Sequence, residues 1–116
     1  LYSVWIEKCC RNSETTVLVA RSNGRVAGYL CCSMSSEQDG AISLFGVDGH
    51  YRRQGVGNAL LRVSTEWFYS RGATSITVAT QGGNVRAQRL YLRNGFLPFE
   101  LKFWFHLWQD ELPSGT

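Results

Sequence analysis

The stretch Arg52-Arg53-Gln54-Gly55-Val56-Gly57 constrains this chain more than any other. An apolar, strand-like run, Ala41 to Val47, leads into it, and a helix-like run, Asn58 to Arg71, leaves it. A strand that turns into a helix across glycines aims the unpaired N–H groups of the first helical turn at one spot. The helix dipole makes that spot favourable for negative charge. Gly55 and Gly57 let the backbone come close to a ligand, and Arg52 and Arg53 add positive charge at the rim. The physical reading is a pyrophosphate cradle at a helix N-terminus. The alternative is a plain strand-to-helix turn.

The rest of the chain supplies a mixed sheet around that turn. Leu1 to Cys10 reads as a short amphipathic helix with Val4, Trp5 and Cys9 on one side. Thr15 to Arg21 is rich in β-branched residues and reads as a strand. Asn23-Gly24 is a tight hairpin signal, and Val26 to Met34 returns as the partner. Ser35 to Gly40 is a polar loop, and Ala41 to Val47 is the next strand. In the helix after the glycine turn, Leu60, Leu61, Ser64, Trp67 and Phe68 recur at helical spacing, and Arg71-Gly72 is its stop. Thr74 to Thr80 alternates as a strand, and Asn84 to Arg93 is a second helix stopped by Asn94-Gly95. Phe96 to Trp108 is a pair of strands or one bent strand, interrupted near Pro98. The strand before the glycine turn, its helix and the following strand make a right-handed parallel β-α-β unit.

A second pattern follows the first: Asn84-x-x-Ala87-x-x-Leu90-Tyr91-x-x-x-Gly95-Phe96. Together, Arg52-x-x-Gly55-x-Gly57 and this run resemble the two cofactor motifs of the GNAT superfamily of N-acetyltransferases, in order and with one helix and one strand between them. The resemblance runs from about Thr15 to Trp108. It implies an α/β fold with a mixed, mostly antiparallel sheet, splayed parallel central strands and flanking helices. It also implies that the family's first strand and much of its first helical region are missing here. The chain would then be one acetyltransferase domain over 1–116, or a piece of a longer protein. An uncovered sheet edge favours pairing with another chain, which leaves a homodimer open.

The resemblance also implies roles. Acetyl-CoA would lie where the strands ending at Val47 and Thr80 splay, with its pantetheine amides on the backbone of Phe45 and Val47. An N–H there would hold the oxyanion formed from the thioester carbonyl. Its pyrophosphate would sit on the N–H groups of Gln54, Gly55, Val56, Gly57 and Asn58. Asn84 would touch pantetheine, or serve only as an N-cap. Ala87 would permit close approach, or serve only as a helix former. Tyr91, seven residues after Asn84 and on the same helix face, would protonate or hydrogen-bond the departing thiolate. Its plainer role is a packed aromatic.

The general base is open. The strand Ala41 to Phe45 carries no carboxylate. Ser43 is a candidate to position a water, Glu37 and Asp39 to reach in from the preceding loop, and His106 by its pKa class. In Phe103 to Trp108, period-two alternation separates Phe103, Phe105 and Leu107 from Trp104, His106 and Trp108. One face is core. The other is core-like or an aromatic wall for an acceptor. This strand, with Trp5-Ile6-Glu7, is similar to bacterial amino-sugar N-acetyltransferases of the dTDP-fucosamine type, which implies a small-molecule amine acceptor such as an amino sugar.

Composition removes other classes. With 116 residues, 44% hydrophobic and 18% charged, the chain has the make-up of one globular domain. No apolar run reaches the ~18 residues of a membrane span, and no secretory signal opens it, so a cytoplasmic setting is expected. A net charge of +3 is too mild to argue for nucleic acid. Cys9-Cys10 and Cys31-Cys32 are adjacent pairs without metal-ligand spacing and read as small buried hydrophobes, so no metal is expected. A dinucleotide fingerprint fails because Leu60 stands where its third small residue belongs. A non-catalytic CoA-binding module remains the alternative to an enzyme.

Overall fold

The computed structural model describes residues 4–10, 15–51, 55–79, 85–99 and 104–108. Its strands are β1 (Val4–Cys10), β2 (Thr15–Ser22), β3 (Arg25–Met34), β4 (Asp39–Val47), β5 (Ser75–Ala79), β6 (Leu97–Phe99) and β7 (Trp104–Trp108). Its helices are α1 (Val56–Ser70) and α2 (Val85–Arg93), with a 3-10 turn at Gly49–Tyr51. The strands form one sheet in the order β1-β2-β3-β4-β5-β7-β6. Among the described residues only β4 and β5 pair in parallel. The expected mixed, mostly antiparallel sheet is therefore what the chain adopts.

The N-terminus is a correction. Residues 4–10 are not a helix. They pair antiparallel with β2, from Val4 opposite Ser22 to Cys10 opposite Thr16. A strand thus occupies the sheet edge beside β2 that the sequence reading left empty. Ile6 stands opposite Ala20 and packs on the core, while Trp5 on the other face is 67% exposed. The periodicity of so short a segment is ambiguous, and pairing with a preformed neighbour decides it.

The β2–β3 hairpin forms as expected. Asn23 (φ 52°) and Gly24 (φ 78°) both take left-handed backbone, which matches the twist of the strands they join. One face of β2 and β3 then presents Leu18, Ala20, Leu30 and Cys32 to α1, all fully buried. α1 answers with Leu60, Leu61, Trp67 and Phe68. Each such side chain contributes roughly 1.5–3 kcal/mol by leaving water. Gly40 of β4 is required for this packing, because a β-carbon there would collide with the Phe68 ring. α1 ends where Gly72 (φ 83°) turns left-handed and Ala73 N–H reaches back to Phe68 O at 3.0 Å. That pattern caps the last carbonyls. Of the cysteines, Cys32 is buried as expected, but Cys9 is exposed.

Candidate functional site

One extra residue opens the sheet. Leu44 stands opposite Cys31 and Ile42 opposite Cys32, so Ser43 has no partner on β3. A bulge of this kind bends its strand and increases the local twist. β4 accordingly pairs with β5 only from Asp39 to Ile42. From Ser43 to Val47 its edge toward β5 has no strand partner among the described residues. At the closed end the seam is held by Asp39, whose carboxylate accepts from Ser75 Oγ at 2.8 Å and from Ser36 Oγ at 2.7 Å.

A cleft of about 770 Å³ lies in this gap. β4 lines it from Ile42 to Val47, β5 with Val78 and Ala79, and the start of α1 with Gly55, Val56, Gly57 and Asn58. α2 contributes Arg86, Ala87, Leu90, Tyr91 and Arg93. Phe45, Val47, Gly55, Val56, Gly57, Asn58, Ala87 and Tyr91, all picked from the sequence, thus line a single cavity. Arg52, Arg53, Gln54 and Asn84 lie outside the described residues.

The two glycines of the turn differ in their work. Gly55 caps α1 with φ 80° and has open space around its missing β-carbon. It is needed for its backbone angle. A β-carbon on Gly57 would stand 2.9 Å from Leu90 Cδ2 of α2, and 3.6 Å from Phe45 Cζ. Gly57 therefore also serves contact between helices, beside the ligand role that the sequence reading gave both glycines. No side chain caps α1, and its first turn carries no acidic residue. The first helical bond is Ala59 N–H to Gly55 O at 2.9 Å, so the N–H groups of Val56, Gly57 and Asn58 precede it at the cleft.

α2 is tied to α1 by a residue read from the sequence only as a helix stop. The Asn94 amide donates to Asn58 Oδ1 at 2.9 Å and to Leu90 O at 2.8 Å. Gly95 turns left-handed (φ 88°), and Phe96 N–H donates to Tyr91 O at 3.0 Å. Tyr91 is 3% exposed. Its ring meets Phe105 at 5.4 Å, Phe96 at 5.8 Å and Phe45 at 6.1 Å between centroids. Burial pushes the Tyr91 phenol up to about 12, because the apolar setting penalises the phenolate. Tyr91 is therefore neutral and proton-bearing across the physiological range.

The charge of the cleft comes from Arg86 and Arg93, which the sequence reading overlooked. They are seven residues apart, two helical turns, and so share a face of α2. That spacing was the available signal. No carboxylate or histidine is among the described residues lining the cleft. Two candidate bases are thereby corrected. Asp39 is bound to Ser75 at the closed end of β4, and Glu37 is in the exposed turn before it. Neither reaches the cleft. Ser43 does line it. The backbone of His106 is paired with Thr77 and Leu97, and its side chain lies outside the described residues. Among the described residues no group of three potential metal ligands occurs, and no helix is long and apolar enough to cross a membrane.

Comparison with known proteins places this geometry. The model of the acetyltransferase (GNAT) family matches residues 1–96. The chain is 27% identical over 107 residues to a dTDP-fucosamine acetyltransferase of Escherichia coli O6:H1, covering 90% of this chain and 45% of that protein. It thus spans about half the length of that curated relative. Among solved structures, it is similar to Ard1 from Thermoplasma volcanium, with TM-score 0.71 and 26% identity over 79% of this chain and 68% of that one. It also shares the fold of an IAA acetyltransferase from Bacillus cereus, with TM-score 0.82 and 18% identity over 91% of this chain and 99% of that one.

Proposed function

The chain belongs to the acetyltransferase (GNAT) family, and on that footing we propose that it transfers an acetyl group from acetyl-CoA to a primary amine of a small-molecule acceptor, both being bound together. The observation that carries this reading is the opened sheet: a strand edge from Ser43 to Val47, without a strand partner among the described residues, runs alongside a helix N-terminus that no side chain caps, with Tyr91 in the wall between them.

The residues present fit a CoA-type ligand. Such a ligand is a chain of amides ending in a diphosphate. The unpaired edge at Phe45 and Val47 offers backbone partners for amides. The N–H groups of Gly55 to Asn58, with no acidic neighbour in the first turn, suit a diphosphate, and Arg52, Arg53 and Gln54 extend that role. Ala87, half-buried in the cleft wall, leaves room for the ligand's arm, and Asn84 is proposed to contact it. When bound, acetyl-CoA supplies a thioester carbonyl open to attack by an uncharged amine.

The chain's own groups do the rest. A β4 N–H at the bulged edge is positioned to receive developing negative charge on an acyl oxygen. The Tyr91 hydroxyl holds its proton and donates a hydrogen bond toward a departing sulfur. With its pKa near 12, it suits stabilising a thiolate better than surrendering a proton to it outright. Ser43 is placed to hold a water that relays the amine's proton. The amine is that of an amino sugar, the acceptor type in the name of the curated relative. A reducing, cytoplasmic setting belongs to the same reading, since Cys9, Cys31 and Cys32 carry free thiols.

A second reading is a CoA-binding module without turnover. It is favoured by the absence of a carboxylate among the described lining residues. Two measurements separate the readings. Titration of CoA into the protein should give a saturating heat, and acetyl-CoA with a panel of amines should release free thiol. Binding without release from any amine would favour the module; no heat at all would end both.

A further inference from the structure

The two faces of the sheet meet the cleft with different surfaces. Leu30 and Gly28 are directed to the α1 side, and their partners Phe45 and Val47 both come near Gly57. Their neighbours point the other way. Gly46 stands opposite Tyr29, and a β-carbon on Gly46 would lie 2.9–3.0 Å from Tyr29 Cε1, Cζ and Oη. The Tyr29 ring is thus laid over the bare backbone of Gly46. Beside it, Leu44 stands opposite Cys31. Tyr29 is 42% exposed and Leu44 58%, and both line the cleft. The gap in the sheet therefore has a helix N-terminus on one face and an aromatic-aliphatic platform on the other.

An exposed aromatic ring packed against glycine supplies contact area at little entropic cost. It offers a π-face to a ligand, and its hydroxyl has no partner among the described residues. Arg86 and Arg93 make the cleft positive, which disfavours an acceptor carrying several cationic amines. A compact ring with an apolar C–H face and a single amine fits both observations.

We propose that Tyr29, seated on Gly46 and flanked by Leu44, is the specificity-determining platform for the acceptor, and that it takes an amine borne on a saturated sugar-like ring through the sheet face opposite α1. This deepens the acetyltransferase reading above and rests on it.

The test reads binding apart from turnover. With the full chain saturated in CoA, saturation-transfer NMR with glucosamine and fucosamine should show transfer to sugar ring protons. Tyr29→Phe should keep that signal, Tyr29→Ala should weaken it about fivefold to tenfold, and spermidine should show little. The CoA affinity of Tyr29→Ala should equal that of the unaltered chain, which also shows that the variant is folded. In turnover assays the KM for the sugar should rise by the same factor while the KM for acetyl-CoA stays put. Absence of transfer to either sugar, equal transfer in Tyr29→Ala, or a change confined to CoA would overturn the platform. Sugar binding without thiol release would instead overturn the catalytic reading and leave the platform standing.

Discussion

Leu90 of α2 fills the space that a β-carbon on Gly57 of α1 would need, its Cδ2 lying 2.9 Å from that position. The helix that offers its N-terminus and the helix that carries Tyr91 are in contact at this point. In Gly57→Ala the added methyl meets the flexible end of Leu90, which must turn aside, while alanine favours the helix by about 1 kcal/mol. The melting temperature should therefore change little, and CoA binding by calorimetry should weaken as the methyl crowds the cleft beside Phe45 and Val47. Unchanged CoA affinity would show that the methyl is accommodated away from the ligand.

The Asn94 amide makes the complementary link, from Asn58 Oδ1 to Leu90 O. Asn94→Ala removes both donors and should cost about 1–2 kcal/mol in urea unfolding. Asn94→Asp, of equal size but without the N–H groups, should behave alike. If Asp restored the stability, volume rather than hydrogen bonding would be the cause.

Tyr91→Phe keeps the ring that packs on Phe45, Phe96 and Phe105 and removes only the hydroxyl. CoA affinity should change little, and kcat should fall by about a hundredfold. A rate equal to that of the unaltered chain at every pH from 7 to 10 would exclude the hydroxyl from the reaction.

Two buried groups make stability sensitive to alkali. Tyr91 is raised by burial from 10 to about 12. Cys32 is raised from 9 to about 12 by burial and then by neighbouring Cys31. Both bind their proton more tightly when folded. Their contribution is full below the unfolded values, near 9 for Cys32 and 10 for Tyr91, and is lost as pH rises through about 12. The Tyr91 share is about 3 kcal/mol. Unfolding free energies measured from pH 8 to 11.5 should decline in this window, and the decline should be shallower in Tyr91→Phe.

Much of this was legible in the sequence, for local reasons. The Asn23-Gly24 pair dictates a hairpin because both residues tolerate positive φ. The glycine turn and the spacing of Leu60, Leu61, Trp67 and Phe68 dictate a strand feeding an amphipathic helix. What escaped was set at a distance. Val4 to Cys10 becomes a strand only because β2 is beside it. Asp39 looked free to serve the reaction until its bond to Ser75, thirty-six residues away, fixed it elsewhere. Arg86 and Arg93 went unremarked, because nothing local to α2 tells a helix face beside a gap from one in solvent. The unpaired Ser43 has no composition or periodicity of its own to announce it.

That serine carries a lesson about counting. Leu44, Phe45 and Gly46 are already in step with Cys31, Leu30 and Tyr29, so dropping position 43 would leave each on its present side, yet it would take out the bend and let the ladder with β5 run on. Ser43→Ala should still take up CoA in a calorimeter, whereas deletion of residue 43 should abolish uptake from a protein that remains folded. At this place in the chain, ligand recognition is encoded by arithmetic, and scanning by substitution alone would pass over it.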